Sequence, residues 1–125
     1  MLGIVHIAMK QMVVQQHGQA AWDAIAAKVG EVANTEWVSD GEYEDGTTVA
    51  MVVAASELLG TEVGAVLEAF GIFFVSFIRE STFVKLVSVL GNNLKDFLYN
   101  LDYLHTHLQT VFPAASFPHF SCRDV

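Results

Sequence analysis

Between residues 94 and 112, apolar side chains recur at steps of four, three, four, three and four residues. This is the spacing of one continuous face of an α-helix, and such a face must be buried against another element. One position in the stripe breaks the apolar pattern, because His105 stands where a leucine would be expected. The stripe consists of Leu94, Leu98, Leu101, His105, Leu108 and Phe112. The pattern therefore predicts a helix over about 93–112, capped by Asn92 or Asn93, with an ionisable ring in its buried seam.

The rest of the chain is also predicted to be helical, so the fold class is mainly α. Trp22, Ile25 and Ala26 should point inward from the second helix, and glycines should end the first, second and third helices. Asp45 or Thr47 is the expected N-cap of the third helix, and Thr61 that of the fourth. The acidic stretch before the third helix is predicted to be a solvated loop. The predicted helices cover residues 2–17, 20–29, 48–59, 62–70 and 83–90.

Composition excludes several functions. The net charge is −8 with only six Lys and Arg residues, which argues against a nucleic-acid partner. Cys122 is the sole cysteine, so neither an internal disulfide nor a cysteine cluster for zinc can form. The longest apolar run, residues 69–78, is about half the length of a membrane span, and the first ten residues do not resemble a signal peptide. A soluble, cytoplasmic protein without a membrane span is expected.

Four phenylalanines crowd the segment on both sides of Gly71. A helix that is apolar nearly all round must be buried on several sides or must face a large apolar group. The segment is therefore either a central core helix or one wall of a cofactor pocket. The four residues are Phe70, Phe73, Phe74 and Phe77.

The two histidines of the last helix cannot share one metal ion. His107 lies about 200° around the helix from His105, so the two rings point apart, and His107 is predicted to be a surface residue. A buried His105 could be a core residue bonded to its neighbours, or it could be a metal ligand. A single protein ligand is poor for zinc but normal for haem, whose porphyrin supplies four nitrogens.

Several stretches resemble the haem nitric-oxide/oxygen-binding (H-NOX) family, in particular the haem-bearing beta subunits of soluble guanylate cyclases. They are the opening MLGIVHIAMKQMVV, residues 53–59 (VAASELL) with Ala69-Phe70-Gly71, residues 89–108 (VLGNNLKDFLYNLDYLHTHL) and the tail FPAASFPHFSCRD. The resemblance covers essentially all 125 residues as one domain. It implies that haem b (iron protoporphyrin IX) is the cofactor and that His105 is its proximal iron ligand.

The same resemblance assigns further haem contacts by position. Pro118 matches a proline that presses on the porphyrin. Leu101 and Leu104 would flank the proximal side. Val5, Phe74 and Ile78 would line the distal side.

The function implied is gas sensing rather than catalysis. Nitric oxide, with carbon monoxide as a second candidate, would bind to the haem, and the freed helix would regulate a separate cyclase domain that makes cyclic GMP from GTP. Oxygen-binding relatives use polar distal side chains, whereas the supporting positions here hold Met9 and Phe74, which favours nitric oxide.

The family's Tyr-x-Ser-x-Arg motif, which holds the haem propionates on an antiparallel sheet, is not found in these 125 residues. The sequence is therefore expected to be the helical portion of an α+β domain, cut short before that sheet. Two alternatives remain open. One is a haem-free helical module that binds a cyclase subunit or a second copy through exposed apolar surface. The other is thiol regulation at Cys122, beside Arg123.

Overall fold

The computed structural model describes residues 1–123, so Asp124 and Val125, the last residues of the predicted 1–125 domain, lie outside the described part. The described residues form six α-helices, a short 3₁₀ helix (Glu31–Asn34) and an isolated antiparallel bridge between Leu2 and Glu42, and they contain no strand. This confirms the mainly α fold class. The helices are α1 (Gly3–His17), α2 (Gln19–Val29), α3 (Asp45–Leu59), α4 (Val63–Arg79), α5 (Val84–Ser88) and α6 (Leu94–Val111).

Three helix ends were predicted at glycines, and all three are confirmed. Gly18, Gly30 and Gly60 follow α1, α2 and α3 with φ of 91°, 102° and 63°. The backbone N–H of each donates to a carbonyl of the preceding turn, which satisfies one of the unpaired groups at a helix end.

Two predicted helix starts were wrong. Helix α3 begins at Asp45 rather than residue 48, and its N-cap is Glu44 without a side-chain hydrogen bond, so neither Asp45 nor Thr47 caps it. The Thr61 hydroxyl donates to the Leu59 carbonyl over 3.3 Å instead of accepting from α4. In both cases the preceding backbone supplies the acceptor, since Glu44 O accepts from Thr47 N and Glu62 O accepts from Ala65 N.

Helix α4 runs without interruption through Gly71, whereas the sequence predicted a helix that ended at Phe70. A glycine inside a helix costs only about 1 kcal/mol relative to alanine, which packing readily offsets. Here the rings of Phe70 and Phe74 stack at 5.3 Å, and those of Phe73 and Phe77 at 6.2 Å. Phe70 and Phe73 are partly buried against the core, but Val66 is the one fully buried residue of α4, so the helix borders the core rather than forming its centre.

The chain divides into two compact units, the first spanning Met1–Phe77 and the second beginning at Ile78. The core of the first unit lies among α1, α2 and α3, with Val66 of α4. Trp22, Ile25 and Ala26 are buried there, as predicted. The largest fully buried side chains are Met9, Ile25, Met51, His6 and Val13.

Gly3 is required by a close approach between the start of α1 and the loop that precedes α3. The first N–H groups of α1 have no side-chain cap; instead Gly3 N donates to Gly41 O and Ile4 N donates to Ser39 O, both over 2.9 Å. A Cβ atom at position 3 would collide with the carbonyl oxygen of Val38 and would lie 2.8 Å from Cε2 of Tyr43. Only glycine fits.

In the second unit, α6 begins at the predicted cap. Asn93 Oδ1 accepts from Asp96 N over 2.9 Å. Gly91 allows the chain to turn close to this helix start, because a Cβ there would lie 2.8 Å from Phe97 N. The side-chain amide of Asn100 donates to Leu90 O and ties the turn to the second turn of the helix.

The stripe of α6 is less buried than predicted. None of its six members is fully buried, and Leu94 is 72 % exposed. The reason is local: within the described part of this unit the extended tail after α6 packs on the stripe at His105, whereas no element covers Leu94 in the first turn.

No single helix in residues 1–123 has the length and apolarity needed to cross a membrane; α3 and α4 meet the criteria only when taken together, and they are bent by 110° at the break between them.

Candidate ligand site at His105

His105 is held in one tautomer by its own helix. Its Nδ1 lies 2.7 Å from the carbonyl oxygen of Leu101, one turn earlier in α6. A carbonyl can only accept a hydrogen bond, so Nδ1 carries the proton and a neutral ring keeps its lone pair on Nε2. Among the described residues Nε2 has no hydrogen-bond partner, and the side chain is half-buried. The ring is therefore oriented with the lone pair of Nε2 free to bind a metal. Metal-ligating histidines have the same arrangement when their second nitrogen is bonded to a carbonyl.

Two phenylalanines of the tail enclose the ring. Phe117 makes an edge contact with His105 at 6.1 Å between ring centroids, and Phe120 a tilted contact at 4.9 Å. The sequence did not single out either ring as a neighbour of His105. The only signal in the sequence was that these two phenylalanines lie three residues apart in the tail after Pro113. In an extended segment this spacing does not specify which helix the two rings contact.

Asp102 fastens the tail to α6. Its Oδ1 accepts from the backbone N–H of Phe120 over 2.9 Å and lies 3.5 Å from Nδ1 of His119, whose side chain is 89 % exposed. Asp102 precedes His105 by three residues, so it projects from the neighbouring part of the same helix face. The bond to Phe120 therefore fixes the ring that packs closest to His105.

His107 is exposed, and its carbonyl accepts from the Thr110 hydroxyl over 2.7 Å. The prediction that His107 is a surface residue is confirmed, and the two histidines of α6 are not brought together.

The other predicted haem contacts occupy both units. Leu101 and Leu104 are half-buried on α6, and Pro118 is exposed in the tail. Ile78 is half-buried at the start of the second unit. In the first unit Val5 and Phe74 are half-buried. The roles of these residues in binding haem stay predictions of the family resemblance.

Met9 is a core residue of the first unit. It is 2 % exposed and belongs to the same buried cluster as Met12, Val13 and Trp22. The thioether therefore contributes to the core, and its proposed influence on gas selectivity stays a prediction.

A cavity of about 310 Å³ lies within the second unit. It brings Ile78, which the sequence had singled out, together with apolar residues of α5 and α6 that it had not. Phe97 was overlooked because it falls outside the stripe of α6. The lining residues are Ile78, Arg79, Val84, Val87, Ser88, Gly91 and Phe97.

His6 is a buried polar residue that sequence analysis also missed. It is fully buried in the first unit, its Nε2 lies 2.6 Å from Oγ1 of Thr48, and its ring contacts Trp37 at 5.1 Å. Burial lowers the pKa of His6, the amino terminus lowers it further, and Asp45 acts in the opposite direction. Its step of three to Met9 was a signal that it lies on the inner face of α1. Its Nδ1 is buried without a hydrogen-bond partner among the described residues, and because the ring is fully enclosed, His6 is a structural residue.

No group of three or more His, Cys, Asp or Glu side chains in residues 1–123 is placed to share a metal ion. Cys122 is half-buried, with its sulfur 3.9 Å from the Arg123 carbonyl oxygen. His105 thus fits a cofactor that needs one axial nitrogen and brings its remaining donors itself.

Residues 2–125 match the model of the family described as haem-NO-binding. The chain belongs to the haem-NO-binding family. The family membership expected from the opening, the α6 segment and the tail is therefore confirmed.

Relatives of this H-NOX chain include subunits of guanylate cyclases. It is 29 % identical over 126 residues to the soluble guanylate cyclase gcy-32 of Caenorhabditis elegans, covering 99 % of this chain and 18 % of that protein. It is 36 % identical over 60 residues to the guanylate cyclase soluble subunit beta-2 of Rattus norvegicus, covering 48 % of this chain and 9 % of that protein. The chain thus spans about a fifth of the worm relative's length.

Solved H-NOX structures share its fold. The structure of the Fe(II) unliganded H-NOX protein from K. algicida aligns with a TM-score of 0.83 at 18 % identity, covering 100 % of this chain and 67 % of that one. At this identity the likeness establishes the fold alone.

Proposed function

We propose that this chain is a haem-based gas sensor domain in which Nε2 of His105 is the axial ligand of haem b. The observation that carries the proposal is the 2.7 Å bond from Nδ1 of His105 to the Leu101 carbonyl, which leaves Nε2 as the free donor. When bound, ferrous haem supplies an iron with an open position at which a diatomic gas can bind.

The protein's contribution is to hold that donor in place. The Leu101 carbonyl fixes the tautomer and makes Nε2 a stronger donor. Phe117 and Phe120 pack against the ring and restrict its rotation, and Asp102 holds Phe120 through its backbone N–H. A change in the position of His105 would therefore be transmitted to the tail as well as along α6.

The proposed output is regulation of a guanylate cyclase in the cytoplasm. Support comes from the relatives, which are named as soluble guanylate cyclases and of which this chain matches about a fifth. The cyclase chemistry, and the partner subunit through which the domain acts, belong to this proposal.

Nitric oxide is the proposed ligand, with carbon monoxide as a second one. Bound oxygen carries partial negative charge and needs a hydrogen-bond donor, whereas nitric oxide does not. Phe74, stacked between Phe70 and Phe77, offers no donor, and Met9 offers none either.

Gas titration of the haem-supplied, reduced protein tests the proposal. We expect spectral changes with nitric oxide and carbon monoxide, and no stable oxygen complex in air. Phe74→Tyr adds a phenol donor and should lengthen the lifetime of any oxygen complex, whereas Val49→Tyr, at an exposed position of α3, is the matched control. A persistent oxygen complex in the unmodified protein would contradict the proposed selectivity.

A haem-free association module is the second candidate, and exposed apolar side chains favour it. Val89 is 77 % and Ile72 69 % exposed. Light scattering should then show self-association that is independent of haem and is weakened by Ile72→Lys. A protein that stays monomeric without haem would exclude this candidate.

A further inference from the structure

The cavity of the second unit combines apolar walls with a single cation. Ile78, Val84, Val87 and Phe97 supply the walls, and Arg79, the last residue of α4, contributes to the lining. None of the lining residues is acidic. Arg79 is exposed, as are Val84, Ser88 and Gly91, so the cavity is open to solvent on one side.

Arg79 is available to a ligand. Its guanidinium makes no hydrogen bond and no ion pair with the described residues, although Glu80 follows Arg79 directly in the sequence. Ser88, the other polar side chain of the lining, donates its hydroxyl proton to the Lys85 carbonyl over 2.9 Å. Any acidic group that enters the cavity would therefore be bound by Arg79 rather than by Ser88.

We propose that Arg79 binds the carboxylate of an apolar ligand seated against Ile78, Val84, Val87 and Phe97, and that this carboxylate is a propionate of the haem. The second part rests on the proposed function. The planar guanidinium group matches the geometry of a carboxylate, and the interaction between the two groups is stronger beside apolar surface. A free long-chain carboxylate offers the same chemistry, an acidic head on an apolar body, so the experiment has to separate the two sources.

A simpler role for Arg79 is to neutralise the negative end of the α4 dipole, since it lies in the last turn. That role affects the stability of the helix and would influence every ligand equally. A propionate contact affects only a ligand whose propionates are charged. Comparing a charged ligand with its ester therefore distinguishes the two roles.

The test measures how fast iron protoporphyrin IX and its dimethyl ester are lost from the full chain to an excess of a scavenger globin. Arg79→Gln should speed the loss of iron protoporphyrin IX by about threefold to tenfold and leave loss of the ester unchanged. Arg79→Lys keeps the positive charge but loses the forked pair of N–H donors, so its rate of haem loss should lie between those of the wild type and Arg79→Gln. Lys95→Gln, which removes a positive charge outside the cavity lining, is the matched control and should change neither rate. Equal effects of Arg79→Gln on both ligands, or none on either, would overturn the inference.

His105→Ala separates this inference from the proposed function. If the wild-type protein binds haem and His105→Ala removes the ligated spectrum while Arg79→Gln has no selective effect, the function stands and the inference fails. If wild-type protein binds neither porphyrin, the haem assignment fails. In that case, binding of dodecanoate tests whether the cavity takes another carboxylate. Binding that depends on Arg79 supports a carboxylate site for a separate ligand, and the absence of such binding overturns the site altogether.

Discussion

The Nδ1–H of His105 donates a hydrogen bond to the carbonyl oxygen of Leu101 over 2.7 Å, within one turn of α6. The partner is the backbone of the same helix, so the acceptor does not depend on the identity of a neighbouring side chain. It sets the tautomer and leaves Nε2 to face a ligand.

Asp102 should position His105 through the tail. Asp102→Ala removes the acceptor for the Phe120 N–H, which frees the ring that packs at 4.9 Å from His105. Removing a partner bonded directly to a ligating histidine typically costs about tenfold or more in retention. Asp102 reaches His105 only through Phe120, so we expect haem to be lost faster by less than about tenfold. The haem-loss rate measures this directly.

Two variants serve as controls for Asp102. Asp102→Asn keeps an acceptor oxygen and should retain most of the wild-type behaviour. His119→Ala removes only a contact of 3.5 Å to a highly exposed ring and should have little effect. If Asp102→Ala loses haem no faster than Asp102→Asn, the tail does not position His105.

Gly3→Ala should destabilise the first unit. The added methyl group would collide with the Val38 carbonyl and the Tyr43 ring, and overpacking of this kind typically costs about 1–3 kcal/mol. Chemical denaturation measures the loss. Gly46→Ala, in the first turn of α3 with nothing near its Cβ position, is the control and should be neutral or slightly stabilising. Equal stability of the two variants would show that the loop before α3 moves away at no cost.

His6 should make stability depend on pH. Its pKa in the folded protein lies below the ordinary value of 6.5, mainly because burial disfavours the charged ring, so the unfolded chain binds its proton first as pH falls. The contribution of His6 is fully present above about pH 6.5 and is lost as the pH falls toward its folded pKa.

Unfolding free energies measured between about pH 7.5 and 5.5 test this. His6→Gln can still form a hydrogen bond with Thr48 but does not titrate, so its stability should vary less over this range than that of the wild type. An equal pH dependence in the two proteins would place the titrating group elsewhere.

The sequence was sufficient to predict α6, its cap and the position of His105 in its stripe. Apolar periodicity, an asparagine cap and the break in the pattern at His105 are all local features of one helix. Local hydrogen bonding at Gly18, Gly30 and Gly60 likewise made three helix ends predictable.

Features that depend on distant parts of the chain could not be predicted. The bond between Asp102 and Phe120 spans 18 residues, and the contact of His6 with Thr48 spans 42. Neither pair leaves a periodic pattern. The continuity of α4 through Gly71 was missed for a related reason, because ring stacking on both sides of the glycine offsets its weak helix propensity.

The absorption spectrum of the reduced, haem-supplied protein tests the central claim, ligation by His105, most directly. The wild type should show the Soret band of a histidine-ligated ferrous haem, and His107→Ala should be indistinguishable from it because that ring is exposed on the other side of α6. His105→Ala should lose the band or regain it only when imidazole is added to replace the missing ring. A His105→Ala protein whose spectrum is unchanged without imidazole would contradict the assignment of His105 as the ligand.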